Sequence, residues 1–287
     1  MNRNFCTFII CFLTIVFYNC GGDDIVTINT EPSPYDIASA SRGGVMFDKF
    51  WSTEAGFNQS DTNLAKFNSR PDFYKCNHCH GWDYLGRFGS YIGRAPNTDR
   101  PRVAGLNLYA VLQTRTPQHL FNAINSNENR RNIDFTFNTY IPEDPNDSAH
   151  KMPDYSSILT HSQIWDLVKF LKEGVLDVSE LYNASYSGIY PTGSAGFYNI
   201  GKDGNSVNGS AYYTTQCSSC HGNDGKLILI EGMSAGEFTR TRPYQVHHKM
   251  RYGRIGSAMT GNSDISPAQL KDLYKALSDT AAFPNQQ

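Results

Sequence analysis

Two stretches of the chain repeat one apolar spacing. Ile164, Leu167, Val168 and Leu171 recur at i, i+3, i+4 and i+7, and Leu270, Leu273, Tyr274 and Leu277 do the same, a period that lays one apolar stripe along a helix. Each run follows a helix-start signal. Thr160-His-Ser-Gln163 and Ser266-Pro-Ala-Gln269 are capping boxes, in which a hydroxyl and an amide satisfy each other's orphan backbone N–H groups. Pro267 suits the first helical turn. The pattern predicts a helix that ends near Gly174 and a second that opens at Pro267.

Other elements recur in the same order. Gly209, Tyr213 and Cys217 stand at four-residue steps, one face of a helix whose glycine permits a close crossing. A stretch beginning at Pro243, with Val246 and Met250 at helical spacing, closes at Gly253, and Thr116-Pro117 opens its counterpart through Leu120 and Ile124. Gly81-x-Asp83 matches Gly222-x-Asp224. The halves read as an internal duplication, the strongest argument for the architecture.

Between these elements lie Cys76-Asn-His-Cys79-His80 and Cys217-Ser-Ser-Cys220-His221. Each Cys-x-x-Cys-His reads as an attachment site for a c-type haem. Two thiols three residues apart on a helical turn reach the two vinyl groups of one porphyrin as thioethers. The adjacent histidine then faces the iron as its proximal ligand. With 7 Cys and 8 His in 287 residues, random placement gives the motif about 0.005 times per chain, so two occurrences are not chance. A zinc site is the competing reading, because Cys76, Cys79, His78 and His80 all bind metals, but neither motif has a second Cys pair near it. The cofactor expectation is two haem c groups.

Phe5 to Tyr18 form an apolar run after a start that carries only Arg3, a length that suits an export signal better than a membrane span. The run ends at Cys20, followed by Gly-Gly-Asp-Asp. This resembles a lipoprotein signal whose cysteine becomes the lipidated mature N-terminus, although Tyr18 and Asn19 depart from the small residues usual there. The expected organisation is a signal at 1–19, a lipoprotein-like tether at 20–37 and two domains at 38–178 and 179–287. The expected location is the periplasmic side or the outer membrane of a bacterium, held by a lipid anchor. Cleavage before Cys20 leaves that cysteine and the four haem thiols, with no structural disulfide.

The net charge is −2 with no basic stripe, which leaves no electrostatic footprint for nucleic acid. Only 39% of residues are hydrophobic, with 24 Gly and 13 Pro, so two separate apolar cores would be weak. Each porphyrin is expected to complete its domain's core.

On these motifs, caps and repeats, each half resembles a class I cytochrome c domain, and the tandem resembles the dihaem c-type cytochromes over about 38–287. The resemblance implies a mainly α fold of two small cytochrome c-like helical domains with long loops, each wrapped around one covalent haem held by Cys76 and Cys79 or by Cys217 and Cys220. It implies crossing first and last helices, with Gly44 and Phe47 standing for the first helix of the first half. It also implies that His80 and His221 bind one face of each iron and a methionine from a late loop binds the other. Met152 lies eight residues before Thr160 and Met259 seven before Ser266, which makes them the expected distal ligands. His150, His247 and His248 remain alternatives, and Met233 is a rival to Met259. Pro101 resembles the element whose carbonyl holds the proximal imidazole. The second half has no such proline and is expected to hold His221 through another backbone carbonyl. Trp82 and Tyr84 are placed either on the porphyrin edge or in ordinary core packing. Two long polar insertions, before Cys76 and from Asn125 through Ser148, set the first half apart.

Two functions follow from this set. Two filled iron sites make an electron carrier between redox partner proteins, such as other cytochromes or a dehydrogenase or oxidase. One displaceable distal ligand would make an oxidoreductase resembling a dihaem peroxidase or a thiosulfate dehydrogenase.

Overall fold

Each apolar stripe finds a partner helix. The computed structural model describes residues 32–51, 75–89, 106–128, 130, 152–187, 194–254 and 257–286. The expected signal, Cys20, Pro101, His150 and most of both polar insertions lie outside them. The described helices are α1 (Pro34–Ile37), α2 (Ala40–Lys49), α3 (Cys76–His80), α4 (Leu108–Thr114), α5 (Pro117–Ile124), α6 (His161–Lys169), α7 (Ser206–Gln216), α8 (Ser218–His221), α9 (Ala235–Thr241), α10 (Pro243–Tyr252) and α11 (Pro267–Leu277). A wider π turn, Phe170–Gly174, extends α6. A hairpin pairs β1 (Asn183–Ser187) with β2 (Ser194–Tyr198), Asn183 opposite Tyr198. Both capping boxes form at the ends where the sequence places them, on Thr160 and Ser266.

The two main crossings, α2 on α6 and α7 on α11, are built the same way. Ser39 caps α2 and Asn205 caps α7. In each case the cap's own N–H donates to an aspartate on the partner helix, Ser39 to Asp166 Oδ1 and Asn205 to Asp272 Oδ1, both at 2.6 Å. Asp166 stands six residues after Thr160 and Asp272 six after Ser266. Four residues after each cap a glycine meets the partner backbone so closely that a Cβ would overlap the Asp166 or Asp272 carbonyl oxygen. These glycines are Gly43 and Gly209. The expected Gly44 is therefore corrected to Gly43, which stands four residues before buried Phe47 as Gly209 does before buried Tyr213. Gly44 serves another contact: a Cβ there would strike the ring of Tyr252 on α10.

That contact changes the picture of the core. The sequence suggests two weak apolar cores, yet buried residues of both halves form one continuous cluster. Tyr252 packs on Phe170 with ring centroids 5.3 Å apart, and its hydroxyl donates to the Gly174 carbonyl at 3.3 Å. Tyr244, also on α10, stacks on Phe88 at 4.3 Å, and Phe197 of β2 joins both. Sharing one core raises the buried apolar area per residue, which two small separate domains would lack. The fold also reaches into the expected tether. Ser33 caps α1 with a capping box, Tyr35 packs on Trp165, and the Tyr35 hydroxyl donates to Glu173 at 2.9 Å.

Where α10 meets the first half, two histidines are buried. His247 Nε2–H donates to the Trp82 carbonyl at 2.9 Å, and His248 Nδ1 lies 3.2 Å from the Tyr84 hydroxyl. Burial pushes His247 down to about 4 and His248 to about 3; Arg251 adds to the first effect, while His247 and Lys249 add to the second against the opposing pull of Asp48. The unfolded chain takes up these protons near the ordinary value of 6.5, whereas the folded chain does not. Stability from this pair is therefore complete above about pH 6.5 and declines as pH falls toward 4, by on the order of a few kcal/mol. Thermal unfolding midpoints should fall over that interval. The fall should be shallower in the His247→Gln, His248→Gln double variant, and equal slopes in the two proteins would contradict the account.

Candidate haem-binding sites

Both motifs adopt one backbone device. α3 ends at Gly81, with φ 78° and its N–H on the Asn77 carbonyl at 2.9 Å; α8 ends at Gly222, with φ 77° and its N–H on the Ser218 carbonyl at 2.8 Å. Only glycine takes this left-handed region without strain. The carbonyl of each histidine then accepts a returning N–H, from Gly86 to His80 at 3.0 Å and from Leu227 to His221 at 2.9 Å. The Gly-x-Asp match has a structural reason. Asp83 Oδ1 accepts the Leu85 N–H and Asp224 Oδ1 accepts the Lys226 N–H, each at 3.1 Å, so each aspartate closes the same turn.

The second motif continues α7. Cys217 lies between α7 and α8, and the Tyr213 hydroxyl donates to the Gly222 carbonyl at 2.8 Å, tying the helix to the end of the motif. His221 Nδ1 lies 2.9 Å from the Ile228 carbonyl. A carbonyl only accepts, so Nδ1 carries the proton and the lone pair stands on Nε2, as an iron-binding imidazole requires. This is a backbone carbonyl of the kind expected in the absence of a proline. Beside it, Leu227 and Ile228 are 71% and 53% exposed, an apolar surface next to a histidine that suits a porphyrin face.

The first motif is more enclosed. Asn77 is buried and donates to Asp48 Oδ1 at 3.0 Å, and Lys75 reaches the same oxygen at 3.4 Å. Burial alone holds the His80 ring down to about 4, keeping it neutral. Its Nδ1 is buried without a hydrogen-bond partner among the described residues. Burial pushes the Cys76 thiol up to about 12, and the Tyr155 hydroxyl bonds to it. Cys217 is likewise pushed up to about 11 by burial and then by Cys220. None of the four motif cysteines is paired in a disulfide, so each sulfur is left for a thioether link to a porphyrin vinyl group. Among the described residues no three His, Cys, Asp or Glu side chains cluster to hold a metal ion, so a four-donor zinc shell has no candidate there. The residues fit covalent haem.

The expected distal methionines lie on segments pinned to their motifs. Met152 is half-buried against the core, three residues before the Tyr155 that meets Cys76. Met259 is half-buried in the loop after α10, where its carbonyl accepts the Arg254 N–H at 3.0 Å. Asn262 in that loop donates to the Tyr212 hydroxyl of α7 at 2.8 Å. The rival Met233 has its sulfur on the Thr241 hydroxyl at 3.3 Å. His247 and His248, alternatives at the second iron, face Trp82 and Tyr84 of the first half instead. Trp82 and Tyr84 are thus fully engaged in protein packing. Asp166, Asp272 and Tyr155 were not singled out in the sequence. The six-residue offset from each cap to its aspartate is the signal that could have found two of them.

Residues 71–174 match the family model described as Cytochrome c. This segment is similar to a cytochrome c domain. The match supports a mainly α cytochrome fold, covalently bound haem c and haem-based electron transfer for the matched residues, and it spans the first motif, Met152 and α6. The second motif lies beyond it. No curated protein and no solved structure matches the chain.

Proposed function

We propose that the protein is an exported dihaem c-type cytochrome that carries electrons between redox partner proteins. One haem would be joined to Cys76 and Cys79 with His80 and Met152 as its iron ligands, the other to Cys217 and Cys220 with His221 and Met259. The observation that carries this reading is the recurrence, at a second motif outside the matched segment, of the same glycine-ended turn, returning N–H and aspartate closure. The same pair of crossing helices, with the same aspartate-to-cap bond, supports counting two units.

Bound haem supplies an iron that gains and loses one electron. The rest of the work falls to the chain. The Ile228 carbonyl orients the His221 ring. The Met152 and Met259 thioethers, neutral and soft, would favour ferrous iron and fill the sixth position. The shared core would keep ligand movement small between oxidation states. A lipid anchor at Cys20 would hold the protein at a membrane surface facing the periplasm or on the outer membrane, in reach of a cytochrome, dehydrogenase or oxidase.

The test is a haem count by the alkaline pyridine assay on purified protein, with the ferric spectrum and carbon monoxide addition after reduction. Two covalent haems, a long-wavelength charge-transfer band of methionine-ligated ferric haem sized for both, and no carbon monoxide shift are expected. One haem would overturn the dihaem reading. Carbon monoxide binding at one site would replace the carrier with an oxidoreductase.

A further inference from the structure

The segment immediately after His80 is held by the other half of the molecule. His80, Gly81 and Trp82 are consecutive, and the Trp82 carbonyl accepts the His247 Nε2–H of α10 at 2.9 Å. The next α10 residues close on the same segment. His248 lies edge-on to the Trp82 ring at 5.2 Å and bonds the Tyr84 hydroxyl, and the Lys249 ammonium sits 5.1 Å over the Trp82 ring. All three are nearly inaccessible, at 1%, 1% and 8%.

The grip is oriented as well as packed. The His247 backbone N–H donates to the Tyr274 hydroxyl at 2.8 Å, and that hydroxyl donates to the Pro243 carbonyl at 2.7 Å. Tyr274 is fully buried on α11, so α10 is fixed in rotation by the terminal helix of its own half. On the other side, Trp82 N–H donates to the Phe88 carbonyl at 2.8 Å. The equivalent turn after His221 takes its fixed point locally, from the Ile228 carbonyl on the imidazole. His80 has no such bond among the described residues, and its segment takes its fixed point from α10.

On the dihaem reading proposed above, we infer that His247 is a positioning residue for the first iron site. Through the Trp82 carbonyl it sets the placement of the His80 segment, so that the second half tunes the first haem. The bond is a directional N–H donor to a buried carbonyl. Losing it leaves that carbonyl unsatisfied or draws water to it, and either outcome moves the segment that carries the proximal ligand.

The test uses the full-length holoprotein. Redox titration should resolve two waves, with the first haem's wave identified as the one displaced by Met152→His. In His247→Ala that wave should shift downward, because a loosened and wetter proximal side favours ferric iron, while the second wave stays in place. His247→Gln, whose amide N–H can reach the same carbonyl, should restore it. An unmoved first wave with two covalent haems present would overturn the inference alone. Equal shifts of both waves, or no rescue by glutamine, would overturn it in favour of general packing. A protein with one covalent haem would overturn the dihaem reading on which it stands. Should His247→Ala fold poorly, Tyr84→Phe removes the neighbouring bond to His248 while keeping His247, and it should leave the first wave nearly unchanged.

Discussion

Replacing Cys217 and Cys220 together with alanine should lower the covalent haem count from two to one and lower the unfolding midpoint of the whole molecule. The first effect follows from the motif, since among the described residues no cysteine besides these two lies in the His221 motif. The second follows from the shared core. Without an attached porphyrin, Leu227 and Ile228 keep the exposure they show beside His221, forfeiting roughly 1.5–3 kcal/mol for each side chain that a haem face would bury. The resulting loss of stability does not stop at the second half, because Tyr244, His247, His248 and Tyr252 of α10 also form the wall of the first. One transition at lower temperature is therefore expected, displaced by roughly 2–4 °C for each kcal/mol lost. Two haems retained in the variant would overturn the motif reading. Two well-separated transitions in calorimetry, with the first half melting as in the unaltered protein, would contradict a continuous core.

Why the core is continuous was not readable in the sequence, and the reason lies in the kind of signal that carries it. Capping boxes, the i, i+3, i+4, i+7 stripes and the Cys-x-x-Cys-His motifs all act within one or two turns of chain, so spacing alone announces them. Thr160, Ser266 and the ends of α5 and α10 stand where spacing put them. The burial of His247, His248 and Lys249 depends on what α10 meets more than 160 residues earlier in the chain, at Trp82 and Tyr84. Three polar residues in a row after Val246 look like a solvated turn unless the partner is known. Only the helical phase of Val246 and Met250 marked the helix itself.

Gly43 and Gly44 show the boundary between the two kinds of information. Adjacent glycines on a helix serve different faces, one against Asp166 and one against Tyr252. The first is legible, because the four-residue step from Gly43 to Phe47 repeats Gly209 to Tyr213. The second answers a contact with the other half. The short helices α4 and α9 were also missed. Asn107 and Ser234 cap them, but neither helix is long enough to develop a clear apolar stripe. Gly188, Pro191 and Gly193 between β1 and β2 are a turn signal that was overlooked, and Phe197 of the hairpin packs among Phe88, Tyr182 and Tyr244.

Met152→Ala should leave haem attached to Cys76 and Cys79, because the thioethers do not involve the distal side, and should change what the iron does. Loss of a neutral thioether removes a ligand that stabilises ferrous iron. A hundredfold loss of that preference would lower the first haem's potential by about 120 mV, at about 59 mV per tenfold for one electron. The vacated position should bind carbon monoxide in the reduced protein, with a shifted Soret band for half of the haem. Met259→Ala should do the same at the second haem, while Met233→Ala, whose sulfur already meets the Thr241 hydroxyl, should change neither potential. The core predicts a further asymmetry. Met152 sits three residues before Tyr155, which is buried against Phe50 at 5.4 Å, so its segment should stay in place when the side chain is cut back. The Met259 loop is tied through Asn262 to Tyr212 and is more exposed, so its variant should show the larger loss of thermal stability. An unchanged spectrum and potential in Met152→Ala would remove that residue from the iron. The search for the sixth ligand would then pass to His150, two residues earlier.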